Sequence, residues 1–301
     1  MRIAVTGSTG MVGNEVIRYF KKQGHAVTRI LRTDSHFSPN GSTIHWDIVS
    51  RKIDKNGLEN HDVVIHLAGA NIAGKRWTEQ YKEQIRASRV DGTRLLCKAL
   101  AELKNPPKVL LSASAIGYYG SREPEQSMDE SKLIGEGFLP EVCDQWEKAT
   151  RPAELAGIRV VHMRIGTVIS TKGGALAKML PPFKMGLGGR LGSGRQMFSW
   201  IALEELPLVM DHLIKNSKLS GPINVTSPKP VSNAEFTRIL GEQLKRPIFF
   251  PVPAFGVKVL FGEMGDRLLL EGAQVVPRRL KDSGYEFQYP TLQKTLSACL
   301  S

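Results

Sequence analysis

Three glycines at positions 7, 10 and 13, set directly behind an apolar run from Ile3 to Val5, constrain this chain more than any other feature. Gly7 lets the strand end in a tight turn, Gly10 offers no side chain to keep a ligand off the backbone, and Gly13 lets the following helix lie close on the sheet. An amphipathic stretch with Val12, Val16, Ile17 and Phe20 follows and ends at Gly24. The pattern therefore reads as strand, turn and helix. The unpaired amides of the helix's first turn, at the positive end of its dipole, favour an anion. A dinucleotide pyrophosphate is the natural occupant, cradled by Gly7, Thr9, Gly10, Met11 and Val12.

With 301 residues and 41% hydrophobic content, the chain can bury a large core as one extended domain or one domain with a lobe. Its three cysteines, Cys97, Cys143 and Cys299, are too few and too scattered for a disulfide framework or a metal cage, so a reducing compartment and no bound metal are expected. A strand from residue 2 leaves no room for a signal peptide and no apolar run approaches a membrane span, which points to a cytoplasmic protein with no membrane partner. The net charge of +12 is spread among interleaved acids and no nucleic-acid-binding motif accompanies it. A small-molecule ligand is expected rather than a nucleic acid.

Along the chain, strands alternate with helices. A second strand over residues 26–31 ends at Leu31, Arg32 and Thr33, where a doubly wound fold meets the adenosine ribose. Arg32 would offer a planar cationic fork to a 2′-phosphate, favouring NADP(H) over NAD(H); it is equally a common kind of surface residue, and Asp34 stands close to it. The third strand, residues 43–46, ends in Asp47, placed either to bond the adenine amino group or to start a turn. A fourth, nearly all-apolar strand over 62–67 closes on Ala68-Gly69-Ala70, and Leu67, Ala68 and Gly69 would let the cofactor pass close. Asn71 to Trp77 reads as a loop and 78–104 as a long helix, with Arg76, Arg86 and Arg89 near its start either as anion contacts or as a solvated face. Strand 109–111 leads to Ser112, Ser114, Tyr118 and Tyr119 at the carboxyl end of the sheet, where ligands bind. A polar, mobile loop is expected over 121–137, one helix over 138–156 and a sixth strand over 159–165 carrying Arg164. Thereafter the alternation loosens, with a strand at 197–201, a helix at 203–214, a strand at 222–225 and a helix from Ser232 opened by a capping box with Glu235. The reading is a nucleotide-binding domain over 1–170, with returning elements from 195–230, and a smaller substrate lobe and C-terminal helical segment over 171–301.

Residues 6–13, Asp47, His66-Leu67-Ala68-Gly69, Gly92-Thr93, Ser112-Ala113-Ser114 and Tyr119-Gly120 resemble the extended short-chain dehydrogenase/reductase superfamily. Arg76-Trp77, Ser88-Arg89-Val90, residues 114–120, Trp146-Glu147, Gly262-Glu263-Met264, Pro277 and residues 289–292 narrow the resemblance to its atypical, epimerase-like branch. The resemblance implies an α/β Rossmann-type doubly wound parallel sheet with a smaller C-terminal lobe, NADP(H) as cofactor, and Ser112 and Arg164 among the cofactor contacts. It places Asn71, Trp77, Arg86 and Tyr119 on the substrate side. The long helices could pair across a two-fold, giving a homodimer.

The superfamily's chemistry uses a tyrosine with a lysine four residues later. Here Cys143 and Glu147 stand at that spacing, Arg89 replaces the usual asparagine, and Ala202 replaces the histidine familiar in this branch. A thiol beside a carboxylate is a poor base, so that pair reads as core packing. Ser114 remains as a hydroxyl for a substrate oxygen, and Tyr118 or Tyr119 as a proton source or as buried packing; His66 reads as a satisfied strand-end histidine. Three functions follow: an NADP-dependent oxidoreductase of an unknown small substrate, an NADPH-binding protein that contacts a protein partner without turnover, or an isomerase with tightly held cofactor and no net redox change.

Overall fold

The computed structural model describes residues 1–33 and 43–300, so Asp34 lies outside the described residues. In chain order the strands are β1 (Arg2–Thr6), β2 (Ala26–Arg32), β3 (Thr43–Asp47), β4 (Lys52–Ile53), β5 (Val63–His66), β6 (Val109–Ala115), β7 (Ser127–Met128), β8 (Arg159–Ile165), β9 (Thr167–Ile169), β10 (Met197–Phe198), β11 (Trp200–Ala202), β12 (Gly221–Val225), β13 (Val231–Ser232) and β14 (Gln274–Val275). The helices are α1 (Met11–Lys22), α2 (Lys55–Leu58), α3 (Glu79–Ala101), α4 (Phe138–Lys148), α5 (Arg151–Leu155), α6 (Gly174–Lys184), α7 (Glu205–Lys215), α8 (Asn233–Leu244), α9 (Ala254–Phe261), α10 (Glu263–Gly265), α11 (Arg278–Asp282) and α12 (Leu292–Leu300).

Eight strands form the main sheet in the order β12-β8-β6-β5-β1-β2-β3-β4, parallel throughout except for the antiparallel edge pair β3/β4. The chain runs outward from β1 to β2 and β3, then returns to β5 on the other side of β1. That reversal opens a crevice at the carboxyl ends of β1 and β5, the place where a doubly wound sheet takes its ligand. The fold is the expected Rossmann-type sheet, and β12, from the chain's later part, closes its far edge.

Strand alternation divides the core in two. Ile3, Val5, Val63, Ile65, Val109, Leu111, Val161, Met163, Ile223 and Val225 face α1 and α7, together with Leu280 from α11. Ala4, Val64, Leu110 and Val160 face the opposite way, toward Leu96, Cys97 and Leu100 of α3 and Ala153 of α5. A third cluster ties Trp200 of β11, Leu176 and Leu180 of α6, Phe236 and Leu240 of α8 and Leu292 and Leu296 of α12 into the lobe. No described helix is long and apolar enough to cross a membrane.

One sequence expectation is corrected. The helix expected over 138–156 is two, because Pro152 has no amide to continue α4 and the chain restarts in α5 after Thr150. The loop expected over 121–137 contains β7, which pairs with β14 of the C-terminal segment in parallel, and a Glu130 carboxylate oxygen accepts from the Asn224 amide of β12 at 2.9 Å.

Candidate active site

The face of the sheet under α3 to α5 turns polar as it nears the crevice. Register partners Ala4, Val64, Leu110 and Val160 are apolar; two residues on, Thr6, His66, Ser112 and His162 are neighbours; two further, Ser114, Arg164 and Asn224 lie side by side. Because side chains repeat every second residue, these rows share one face. The sheet thus delivers a buried polar patch to the carboxyl edge by register alone.

At β1 the glycine turn fits a pyrophosphate. Gly7 has φ +63°, and a Cβ there would sit 2.7 Å from the Leu67 carbonyl; a Cβ on Gly13 would collide with the Gly7 carbonyl oxygen. Only glycine satisfies both contacts. Gly10 caps α1 with no side-chain hydrogen bond, and Ser8 Oγ is buried without a protein partner, so donors remain for an anion. Thr9 and Gly10 are exposed, with Met11 and Val12 behind them. Arg29 of β2, which the sequence reading missed, donates to the Ser8 carbonyl and, at 3.2 Å, to Asn14 Oδ1, bringing a cation beneath the turn. Arg32 is exposed at the end of β2. Asp47 takes the second of its two roles, since its Oδ1 accepts from the Val49 and Ser50 amides at 2.9 and 3.1 Å and starts a turn.

A chain of hydrogen bonds positions the loop after β5. Thr6 Oγ1 accepts from the Leu67 and Ala68 amides at 3.0 and 3.2 Å, which directs its own proton to His66 Nδ1 at 2.7 Å. His66 therefore carries its proton on Nε2 and donates to Thr93 Oγ1 at 2.8 Å, which also accepts from the Trp146 indole at 2.9 Å. Burial pushes the imidazole down to about 4, so it is the neutral, satisfied histidine expected from the sequence. Asn71 turns its Oδ1 to the Ala73 amide and its carbonyl to the Tyr81 hydroxyl, Trp77 donates to the Ile72 carbonyl at 2.8 Å, and Arg86 pairs with Glu83 at 3.3 Å. These three shape the rim of the crevice between β5 and α3.

Where the superfamily keeps tyrosine and lysine, α4 brings Cys143 and Glu147. Burial, with the Glu147 charge second, pushes the Cys143 thiol up to about 12, which leaves it an inert packing group. Glu147 does more than pack. It accepts from Ser114 Oγ at 2.7 Å and is clasped bidentately by Arg164, Nε and Nη2 each at 2.8 Å. Arg164 Nη1 donates to the Tyr119 hydroxyl at 3.0 Å, and that hydroxyl donates to Asn224 Oδ1 at 2.7 Å.

Two expectations fall here. Arg164 is 3% exposed and turns inward, because a cation on the buried row beside Ser114 needs Glu147, so it is not at the cofactor surface. Tyr119 is fully buried and pushed up to about 12 by burial, which removes it from substrate contact. Tyr118 stays partly exposed, with the Arg164 guanidinium 3.4 Å from its ring centroid. Ser112 is buried between His66 and His162, a floor residue rather than a rim one. Among the described residues no group of three or more His, Cys, Asp or Glu is placed to hold a metal ion.

A doubly wound sheet with a glycine turn at its reversal point defines a nucleotide-binding α/β protein, and the comparisons with known proteins place it further. Residues 3–225 match the NAD dependent epimerase/dehydratase family, and residues 252–299 match a domain of unknown function, DUF1731. The chain belongs to the epimerase/dehydratase family, as an atypical, epimerase-like extended short-chain dehydrogenase/reductase. It is similar to epimerase family protein Mb2239 of Mycobacterium bovis, 40% identical over 98% of this chain and 96% of that one. Epimerase family protein YfhF of Bacillus subtilis is 35% identical over 100% and 98% of the two chains. Human epimerase family protein SDR39U1, solved with NADPH, superposes with a TM-score of 0.90 at 33% identity over 99% of each chain. UDP-glucose 4-epimerase of Thermus thermophilus, solved with NAD, has a TM-score of 0.77 at 17% identity, a likeness of fold alone.

Proposed function

We propose that the protein is an NADP(H)-dependent, epimerase-like oxidoreductase of a small substrate, in which Ser114 backed by Glu147 replaces the tyrosine and lysine of the superfamily. The observation that carries this reading is the Ser114–Glu147–Arg164 network on the buried row nearest the crevice. When bound, the dinucleotide supplies hydride exchange at its nicotinamide ring. The turn at Gly7, Gly10, Met11 and Val12 would hold the pyrophosphate, and Ala68 and Gly69 would line the path past β5. Arg32 would meet the 2′-phosphate, with Arg29 adding charge beneath the turn; the NADPH found with the human relative supports that choice.

Ser114 gives its proton to Glu147, so its lone pairs are what it can offer to a ligand. A substrate hydroxyl would donate to Ser114 Oγ, and its proton would pass to Ser114 while the serine proton passes to Glu147. Arg164 holds the carboxylate in place, and Tyr118, fixed over Arg164, would position the substrate.

A second reading, an NADPH-binding protein without turnover that contacts a protein partner, is favoured by the exposed Phe249, Phe250, Phe255, Val259 and Leu260 beside and within α9. The test is NADPH oxidation or NADP⁺ reduction against a panel of carbonyl, alcohol and sugar-nucleotide compounds. Ser114→Ala should cost on the order of 10²-fold or more in kcat, and Tyr118→Phe chiefly KM. Tight NADPH binding with no turnover on any compound favours the second reading, and no binding of either coenzyme removes both.

A further inference from the structure

Arg89 of α3 occupies an unusual place. A Cβ on Gly69 would lie 3.2 Å from its guanidinium carbon, so the cation stands directly behind an exposed glycine at the mouth of the crevice. Its other side lies over the Trp146 ring, 5.1 Å from the centroid, and Nη1 donates to the Ile85 carbonyl at 3.2 Å. Among the described residues it has no carboxylate partner, although Arg164, buried a few residues away across α4, has Glu147. The titratable groups that face it are the Cys143 thiol, which burial keeps neutral, and the Tyr81 hydroxyl, which donates to the Asn71 carbonyl, and burial holds its guanidinium below the ordinary value. One turn earlier on the same helix, Arg86 Nε is buried with no hydrogen-bond partner. A half-buried guanidinium without a counter-ion is costly to a fold, since its charge is partly removed from water and nothing of opposite sign replaces it. Its planar fork matches a carboxylate or a phosphate in two-point contact.

We infer that Arg89, with Arg86 beside it, is an anion receptor reached past Gly69, which takes a phosphate or carboxylate oxygen pair from the ligand in the crevice. The inference rests on the crevice being the ligand site, not on turnover there. The anion has two sources of the same chemistry, the coenzyme's own phosphates or an acidic group on the substrate. The surroundings are fixed for such a contact: Ser88 Oγ accepts from the Ala70 amide at 3.0 Å and holds the glycine loop against α3.

The experiment is calorimetric titration of the full-length protein, its Arg89→Met and its Arg89→Lys variants with NADPH, and then with inorganic phosphate before and after NADPH loading. Thermal unfolding of each unliganded protein accompanies it. A loss of tenfold or more in NADPH affinity in Arg89→Met, partly restored in Arg89→Lys, supports the receptor and assigns the anion to the coenzyme. NADPH affinity within twofold, with phosphate binding to the loaded protein lost in Arg89→Met, supports the receptor and assigns the anion to the substrate. In either case unliganded Arg89→Met should melt no lower than the parent protein, because an uncompensated charge has gone. Phosphate and NADPH binding both unchanged in Arg89→Met, or a melting point lowered with no change in either affinity, overturns the inference and leaves the crevice reading standing. If the parent protein binds no NADPH, the crevice reading fails, and the phosphate titration of unliganded protein still decides Arg89.

Discussion

Glu147, the carboxylate behind Ser114, is one half of a buried ion pair with Arg164. Its side chain is 11% exposed and that of Arg164 4%, so each holds the other's charge in a place where water cannot. Removing one partner of such a pair strands the other, typically at a cost of about 3–5 kcal/mol, whereas replacing both by apolar groups of similar size can be nearly neutral. Glu147→Gln should therefore destabilise the protein by several kcal/mol in urea unfolding, and the double variant Glu147→Gln with Arg164→Met by less than the sum of the two single changes. Additive losses would mean that the pair is not coupled. At this scale the sequence was legible for the glycine turn and for Ser114, since a glycine's conformational need and a hydroxyl at a strand end are local facts. Glu147 was visible as a carboxylate four residues after a thiol and as part of the Trp146-Glu147 pair that carries the resemblance, with no sign of its partners. Its bond to Ser114 spans 33 residues and its pairing with Arg164 crosses from helix to strand, contacts that no local pattern encodes. The signal that could have revealed them is the recurrence of polar residues at every second position in otherwise apolar strands: 112 and 114, 162 and 164, and 224.

That alternation belongs to elements rather than residues, and so does a consequence for pH. The row Thr6, His66, Ser112, His162 holds two imidazoles on the face covered by α3 to α5, and a third buried histidine, His61, lies two residues before β5. Burial lowers all three histidines from their ordinary value, His66 to about 4. Between pH 6.5 and 4 the unfolded chain binds a proton at position 66 that the folded chain refuses, so stability rises with pH across that window. It is fully present above about pH 6.5 and is lost as the pH falls toward 4, for His66 alone on the order of 3 kcal/mol. Urea midpoints measured from pH 7 to 4 should fall steeply, and His66→Gln should flatten the slope while starting from lower stability at pH 7. A parent midpoint unchanged down to pH 4.5 would contradict the burial of a neutral imidazole. Because His66 holds Thr6, and Thr6 holds the Leu67 and Ala68 amides, NADPH affinity should weaken over the same range. Apolar runs were enough to locate the strands, but the split between α4 and α5 was missed, since Pro152 sits at the start of a helix, where proline is tolerated, and the periodicity alone runs straight through it.

On the scale of the whole molecule, the C-terminal segment reads in sequence as a string of short helices, yet it is stitched into every part of the fold. β14 pairs with β7, Leu280 enters the core beneath α1 and α7, and Leu292 and Leu296 complete the cluster around Trp200 and Phe236. The fastening that decides its behaviour is Glu205, at the start of α7 and 1% exposed. Its carboxylate accepts from the Tyr285 hydroxyl at 2.5 Å, the Gln288 amide at 3.1 Å and the Tyr289 amide at 2.7 Å, three donors from one short stretch of the tail. No basic side chain is paired with it in the described residues, so these donors alone offset the removal of its charge from water. Glu205→Ala would remove all three hydrogen bonds, each made to a charged acceptor and worth roughly 1.5–3 kcal/mol before water replaces part of it. A total loss of about 3–5 kcal/mol is expected, and Glu205→Gln, which keeps one acceptor oxygen, should lose about half of that. Because the tail shares its hydrophobic contacts with the nucleotide-binding sheet, the loss should appear as a lower midpoint of one cooperative transition, with NADPH still raising it. Hydrogen exchange gives the alternative a clear signature: if residues 285–300 open in Glu205→Ala while β1, β5 and β6 keep their full protection, the segment is a separately folding appendage and its integration into the sheet's core is wrong.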